Sequence, residues 1–147
     1  SKLPGYAVEV SRCGGAHGQH LGFLYNTNVV ELLSFNEDLS ISEPGKSGTC
    51  DSGSRPLAIA LFKVKRTGQK FYAMTAHLKA GGDVGSISKR AKQYEIIKDT
   101  INELREKTGV KDFSFAGDMN TTEYLNRGAD YRNFSKVVSE LGMIDLA

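Results

Sequence analysis

Lys70-Phe71-Tyr72-Ala73-Met74-Thr75-Ala76-His77-Leu78 is the stretch on which the reading of this chain turns. It is apolar or aromatic at nearly every position, which predicts a strand covered on both faces, yet it carries a histidine near its carboxyl end. Just before it, Arg55-Pro56 opens a similar run, Leu57 to Val64 (LAIALFKV), and Arg66-Thr67-Gly68-Gln69 supplies the turn between the two. The pair reads as an antiparallel hairpin. Downstream, Lys79 to Gly85 (KAGGDVG) breaks the pattern, and a helix is predicted from about Ser86 to Lys107. Ile87, Ala91, Tyr94, Ile97, Ile101 and Leu104 fall at helical spacing, Ser86 or Ser88 can cap the start, and Gly109 stands where a C-cap glycine belongs. A short strand, Asp112 to Ala116, then runs into Gly117-Asp118-Met119-Asn120, and a second helix, Tyr131 to Leu141, stops at Gly142.

The amino-terminal half reads as strands. Tyr6 to Val10 (YAVEV) alternates weakly and leads into the glycine-rich loop Cys13-Gly14-Gly15-Ala16-His17-Gly18. His20 to Tyr25 and Val29 to Phe35 are apolar runs around Asn26-Thr27-Asn28, a pattern that predicts a second antiparallel hairpin. Asn36 to Ser54 is a polar loop, long enough to be a functional rim. Strands in hairpins followed by helix, strand, helix predict an α/β chain with a mixed sheet and at least two helices. The chain starts in mid-pattern at Ser1-Lys2-Leu3, and Met143-Ile144-Asp145-Leu146-Ala147 reads as the approach to a further strand. A single domain that lacks strands at both ends is therefore expected over residues 1–147.

Composition narrows the function classes. A chain of 147 residues suits one domain, and 39% hydrophobic residues are enough to bury a core, which argues against disorder. No apolar run nears the roughly 18 residues of a membrane-spanning helix. A net charge of +2, from 19 basic and 17 acidic residues, is too small to argue for nucleic acid by itself. Cys13 and Cys50 are too few for a disulfide scaffold and are not spaced as zinc ligands; a single bridge and two free thiols are both open. A bridge would favour a secreted or periplasmic protein.

Chemistry must come from individual residues. Asp118 and Asn120 follow a buried strand and point to one side if the backbone stays extended, where they could hold a hard cation and orient a water or phosphate oxygen; a plain Asx turn is the alternative. His77 is either a satisfied core histidine or a catalytic one, and its place at the strand's carboxyl end favours the latter. Arg90 falls inside the apolar arc of its helix, so it requires an anion: a carboxylate within the protein or a phosphate of the substrate. Lys89 and Lys92 lie off that arc and read as solvated. Arg55 is a candidate phosphate clamp or a loop charge, and His17 and His20 read as non-ligands.

A strand ending Thr75-Ala76-His77-Leu78, a helix with Arg90 and Gln93 near its start, and a strand ending Gly117-Asp118-Met119-Asn120 together resemble the endonuclease/exonuclease/phosphatase superfamily, the deoxyribonuclease I-like proteins. Leu21 to Tyr25 and Ser54-Arg55-Pro56 agree with it, so the likeness runs from about Tyr6 to Leu146. It implies part of a two-sheet, four-layer α/β sandwich and Mg²⁺-assisted phosphodiester hydrolysis, with Mn²⁺ or Ca²⁺ as alternatives. A nuclease acting on nucleic acid is the leading expectation; a sphingomyelinase, a sugar-phosphate phosphatase and a non-catalytic phosphate-binding module are the alternatives. The resemblance implies that Asp118 and Asn120 hold metal and activate water, His77 acts in acid/base catalysis, Arg55 contacts phosphate, and Arg90 supports the site or binds phosphate. Gln19 departs from the pattern, standing where an acidic residue supports the histidine. A metal-binding Glu upstream and a closing Ser-Asp-His downstream are absent from the sequence, so the chain by itself is expected to be inactive or nearly so. Truncation should also expose strand edges that invite self-association.

Overall fold

The computed structural model describes residues 3–45 and 49–146. Among these, the strands are β1 (Tyr6–Val10), β2 (Gly22–Asn26), β3 (Val30–Asp38), β4 (Leu57–Val64), β5 (Lys70–His77) and β6 (Phe113–Asp118). Helix α1 (Val84–Thr108) lies between β5 and β6, helix α2 (Ala129–Glu140) follows β6, and a 3₁₀ turn covers Gly15–His17. β1 and β2 form a two-stranded antiparallel sheet, and the other strands form a sheet in the order β3-β4-β5-β6. That sheet is antiparallel except for the β5–β6 pair, which α1 makes parallel by crossing over between them. The α/β class with a mixed sheet and two helices is as expected.

Strand alternation divides the core into two. On one face of the large sheet Leu57, Ile59, Tyr72, Met74 and Ala76 join Tyr94, Ile97 and Ile101 of α1 and Val137 of α2. Leu57 and Ile101 are completely buried there, each contributing roughly 1.5–3 kcal/mol. On the other face Phe62 of β4 meets Phe23 and Tyr25 of β2 at ring-centroid distances of 6.1 and 5.0 Å, and Phe35 of β3 meets Phe23 at 6.3 Å. The small sheet therefore lies face to face on the large one.

This packing overturns the hairpin expected between His20–Tyr25 and Val29–Phe35. β2 pairs with β1, from Tyr6 opposite Asn26 to Val10 opposite Gly22, while β3 pairs with β4. The turn that carries the Val29 N–H to the Asn26 carbonyl (3.1 Å) moves the chain from one sheet to the other. Phe23 and Tyr25 project from the same face of β2, and their rings gain more by packing on Phe35 and Phe62 than an edge pairing would offer.

Two boundaries also differ. Asn36, Glu37 and Asp38 continue β3 opposite Ile59, Ala58 and Leu57, so the polar loop begins later than expected. It is also anchored: Ile41 and Ser42 are fully buried, and Gln93 Nε2 donates to the Ile41 carbonyl at 2.9 Å. Residues 46–48 of that loop, and residues 1, 2 and 147 of the expected broken ends, lie outside the described part. Helix α1 starts at Val84 and is capped by Asp83, whose carboxylate accepts from Ser86 N (3.0 Å) and from the Ser86 hydroxyl (2.6 Å). Gly109 ends it in the left-handed conformation, φ 71°, as expected.

The buried face of α1 changes character along its length. Up to Gln93 it buries Ser86, Arg90 and Gln93, and from Tyr94 onward Tyr94, Ile97 and Ile101. The apolar half lies over the sheet; the polar half lies over the loops that leave the carboxyl ends of the strands, where backbone groups need partners. Gln93 accepts from Lys79 N (3.1 Å), and Arg90 Nη1 donates to the carbonyls of Lys79 and Gly81 (2.6 and 2.7 Å).

Candidate active site

His77 is the last residue of β5 and Asp118 the last of β6, and the parallel register sets them directly opposite each other. Their side chains approach with Nε2 3.6 Å from Oδ2, ion-pair range but beyond a direct hydrogen bond. Leu78 N donates to the Asp118 carbonyl at 2.9 Å, extending the pairing one step further.

Beyond Asp118 the backbone does not stay extended. Asn120 takes a left-handed conformation, φ 49°, and its N–H donates to Asp118 Oδ1 at 2.9 Å, an Asx turn. The sequence posed turn and site as alternatives; the structure shows the turn. It returns Asn120 beneath the strand ends, where Nδ2 donates to the Leu78 carbonyl at 3.2 Å and leaves Oδ1 as the acceptor for a ligand. Asp118 and Asn120 share one wall of an open cavity of about 480 Å³, with Thr121, Tyr124 and Asp145 around them.

A buried ion pair holds this region from below. Arg90 is completely buried and its partner is a carboxylate, Asp130, forty residues further on: Nη2 lies 2.6 Å from Oδ2, and Nε lies 3.2 and 3.1 Å from the two oxygens. Asp130 also accepts from Thr122 N (2.6 Å) and the Thr122 hydroxyl (2.9 Å). Burial alone would raise the Asp130 carboxyl, but the hydrogen bonds from Arg90 and Thr122 outweigh it and hold the pKa below its ordinary value. The expectation that Arg90 binds substrate phosphate is corrected: its Nε, Nη1 and Nη2 all donate within the protein, and it has no exposed surface. It is a positioning residue that ties the loop after β5 to the segment after β6. Tyr94 adds a second tie, its hydroxyl 2.8 Å from Thr121 Oγ1, and burial pushes its pKa up to about 12.

Arg55 sits elsewhere. It lines a second depression, of about 310 Å³, together with His17, His77, Lys79 and Lys89, so His77 is its link to Asp118. Lys89, expected to be solvated, is half-buried in this wall, because the flank of α1 outside its apolar arc faces the β5–α1 loop. Lys79 and His17 carried no local sequence signal for a site; only the chain path brings them here. Cys13 and Cys50 are bridged, which settles the alternatives left open by the sequence.

For a hard divalent cation, the donors on hand are the Asp118 carboxylate and Asn120 Oδ1. Among the described residues no cluster of three or more His, Cys, Asp or Glu side chains could hold a metal. One carboxylate and one amide oxygen fit part of a Mg²⁺ shell, since that ion keeps several waters and needs only one or two carboxylates from the protein.

A carboxylate, an amide and a histidine gathered at the carboxyl ends of adjacent parallel strands define an α/β protein whose site lies where such folds usually carry one. The chain has the deoxyribonuclease I-like fold found in the endonuclease/exonuclease/phosphatase proteins. It is similar to a mannosyl-6-phosphatase of Bacteroides thetaiotaomicron (21% identity, 91% of this chain and 49% of that one, TM-score 0.66). The human Nocturnin catalytic domain with a bound sulfate anion matches at 15% identity over 93% of this chain and 48% of its own, TM-score 0.65. TDP2 of D. rerio, complexed with a single-strand DNA product, matches at 22% identity over 97% and 45%, TM-score 0.56. The chain thus spans about half the length of these structures. No protein-family model and no curated protein matches the sequence.

Proposed function

We propose that the chain is the central part of a metal-dependent phosphodiester hydrolase, with a nuclease as the leading reading. The observation that carries it is the His77–Asp118 pair at the ends of β5 and β6, with Asn120 beside Asp118 in one cavity wall. In this reading Asp118 takes a proton from the attacking water, Asn120 Oδ1 orients that water, and His77 donates to a phosphate oxygen or protonates the leaving oxygen. Mg²⁺, or Mn²⁺ or Ca²⁺ in its place, held by Asp118 and Asn120, would neutralise charge on the phosphoryl oxygens. Arg55 would hold a phosphate beside His77. A nucleic acid is the proposed partner. The remaining metal ligand and the second histidine that the superfamily resemblance implies would come from chain outside these residues, so the chain alone is expected to be inactive or nearly so.

The likeness to a mannosyl-6-phosphatase favours a sugar-phosphate phosphatase as the second reading. The Cys13–Cys50 bridge supports a secreted or periplasmic location; no helix among the described residues is long and apolar enough to cross a membrane.

The test is Mg²⁺-dependent nicking of supercoiled plasmid by this chain and by the longest protein its gene encodes, with a chelator control and Asp118→Ala. The expected result is nicking by the longer protein, lowered about 10²–10⁴-fold by the substitution as for loss of a general base. Absence of nicking by both, with turnover of a hexose phosphate, would move the assignment to the phosphatase reading.

A further inference from the structure

Between Asn120 and helix α2 the chain forms a short loop, Thr121 to Gly128, that borders the cavity of Asp118 and Asn120. Tyr124 lines that cavity and is 42% exposed, and its neighbour Leu125 is fully exposed. An aromatic ring and a leucine left in water beside a candidate site are groups that a ligand would cover. The hydrolysis proposed above uses neither of them.

The ring is held in place before any ligand arrives. Tyr124 packs on Tyr131 and Phe134 of α2, ring centroids 5.1 and 6.3 Å away with planes tilted by 59° and 52°. Phe134 in turn meets the buried Tyr94 at 5.8 Å, so the ring is braced against the core. Gly128 N donates to the Glu123 carbonyl (3.2 Å) and to Asn126 Oδ1 (3.1 Å), and Asp130 N donates to Glu123 Oε2 (3.0 Å). These bonds close the loop with Glu123 and Arg127 in the left-handed region, φ 64° and 52°, a conformation that other residues than glycine keep only where the surroundings impose it. A side chain fixed in advance loses little entropy on binding.

The lining of the cavity selects among ligands. Asp118 and Asp145 are part of it, and among the described residues no lysine, arginine or histidine is. A group that enters beside the reacting phosphate is therefore uncharged. A sugar needs donors and acceptors around its hydroxyls, whereas Tyr124 and Phe134 offer ring surface, which suits a flat, weakly polar group. We propose that Tyr124 is the specificity-determining residue of this site and stacks on the nucleobase attached to the phosphate at Asp118 and Asn120. This role rests on the nuclease reading above and adds to it the group that selects the substrate.

The experiment measures, by fluorescence anisotropy in Mg²⁺, binding of a labelled single-stranded phosphorothioate trinucleotide, which resists cleavage, to the longest protein the gene encodes. The same backbone with abasic units is the second ligand and carries the same charge. The base-bearing ligand is expected to bind about tenfold more tightly, in the range of one base–aromatic stack. Tyr124→Leu, which keeps bulk and removes the aromatic face, should abolish that difference, and Tyr124→Phe should keep it; thermal melts check that both variants fold. Equal affinities of the parent for the two ligands, no binding of either, or a difference that survives in Tyr124→Leu would overturn the role of Tyr124. Plasmid nicking that persists alongside equal affinities would leave the nuclease reading intact. Base-dependent binding that Tyr124→Leu abolishes, with no nicking by the parent, would remove the hydrolysis and leave the stacking.

Discussion

Gly117 stands opposite Ala76 in the parallel β5–β6 pair at a spacing that leaves no room for a side chain. A Cβ on Gly117 would lie 2.1 Å from the Ala76 carbonyl oxygen, and its φ of 146° is one that other residues rarely adopt. The next residue in each strand is a site residue, His77 after Ala76 and Asp118 after Gly117. The glycine before the aspartate is therefore what lets the two strand ends come together.

Gly117→Ala should lower stability by about 2–4 kcal/mol, from a strained backbone and a forced separation of β6 from β5. Urea denaturation measures it. A variant as stable as the parent would mean that the end of β6 shifts freely, and that the His77–Asp118 spacing is not set by this contact.

Removing one partner of the Arg90–Asp130 pair leaves the other charged in a site with no solvent. Asp130→Ala should cost about 3–5 kcal/mol and also release Thr122 and the segment that carries Asn120. An effect under about 1 kcal/mol, the range of an exposed pair, would count against the buried geometry.

The same carboxylate predicts a dependence on acid. Its folded pKa lies below the ordinary value of about 3.9. Its contribution is therefore fully present above that value and is lost as pH falls through the lower, folded one. Denaturation curves taken from pH 6 down to pH 3 should show the parent losing more stability than Asp130→Ala. Parallel losses in the two proteins would exclude this linkage.

The Cys13–Cys50 bridge closes a loop between residues 37 apart in sequence, for which chain-entropy arguments give about 2–4 kcal/mol. Reduction, or Cys13→Ser with Cys50→Ser, should lower the melting temperature by several degrees. Identical melts with and without reductant would show that the bridge contributes nothing to the fold.

Self-association is expected from the surface the chain presents. Among the described residues no strand pairs with the outer edge of β6, and Val8, Val10 and Leu24 are 59%, 50% and 60% exposed on the outer face of the small sheet. Light scattering over a range of concentrations should show the apparent mass rising, and a constant monomer mass would refute it.

The elements that came through from sequence to structure are those specified by near neighbours. The Arg66–Gln69 turn, the helical spacing from Ile87 to Leu104 and the stops at Gly109 and Gly142 each depend on residues within one or two turns of chain. The burial of Arg90 was readable for the same reason, since its place in the apolar arc is a property of one helix. Its partner was not readable, because an aspartate forty residues away leaves no periodic mark. The β2–β3 hairpin was misread because alternation with Phe23 and Tyr25 inward serves equally for pairing along an edge and for packing face to face.

Amino-acid order alone was enough to place His77 at the carboxyl end of one strand and Asp118 directly after another. Only the folded chain decided that these two residues face each other, that Asn120 turns back beside them, and that Arg55, Lys79, Lys89 and His17 converge on a hollow next to His77. The reason is range: backbone preference and hydrophobic periodicity act over a few residues, whereas charge pairing and sheet contact depend on distances in space that the whole path of the chain sets.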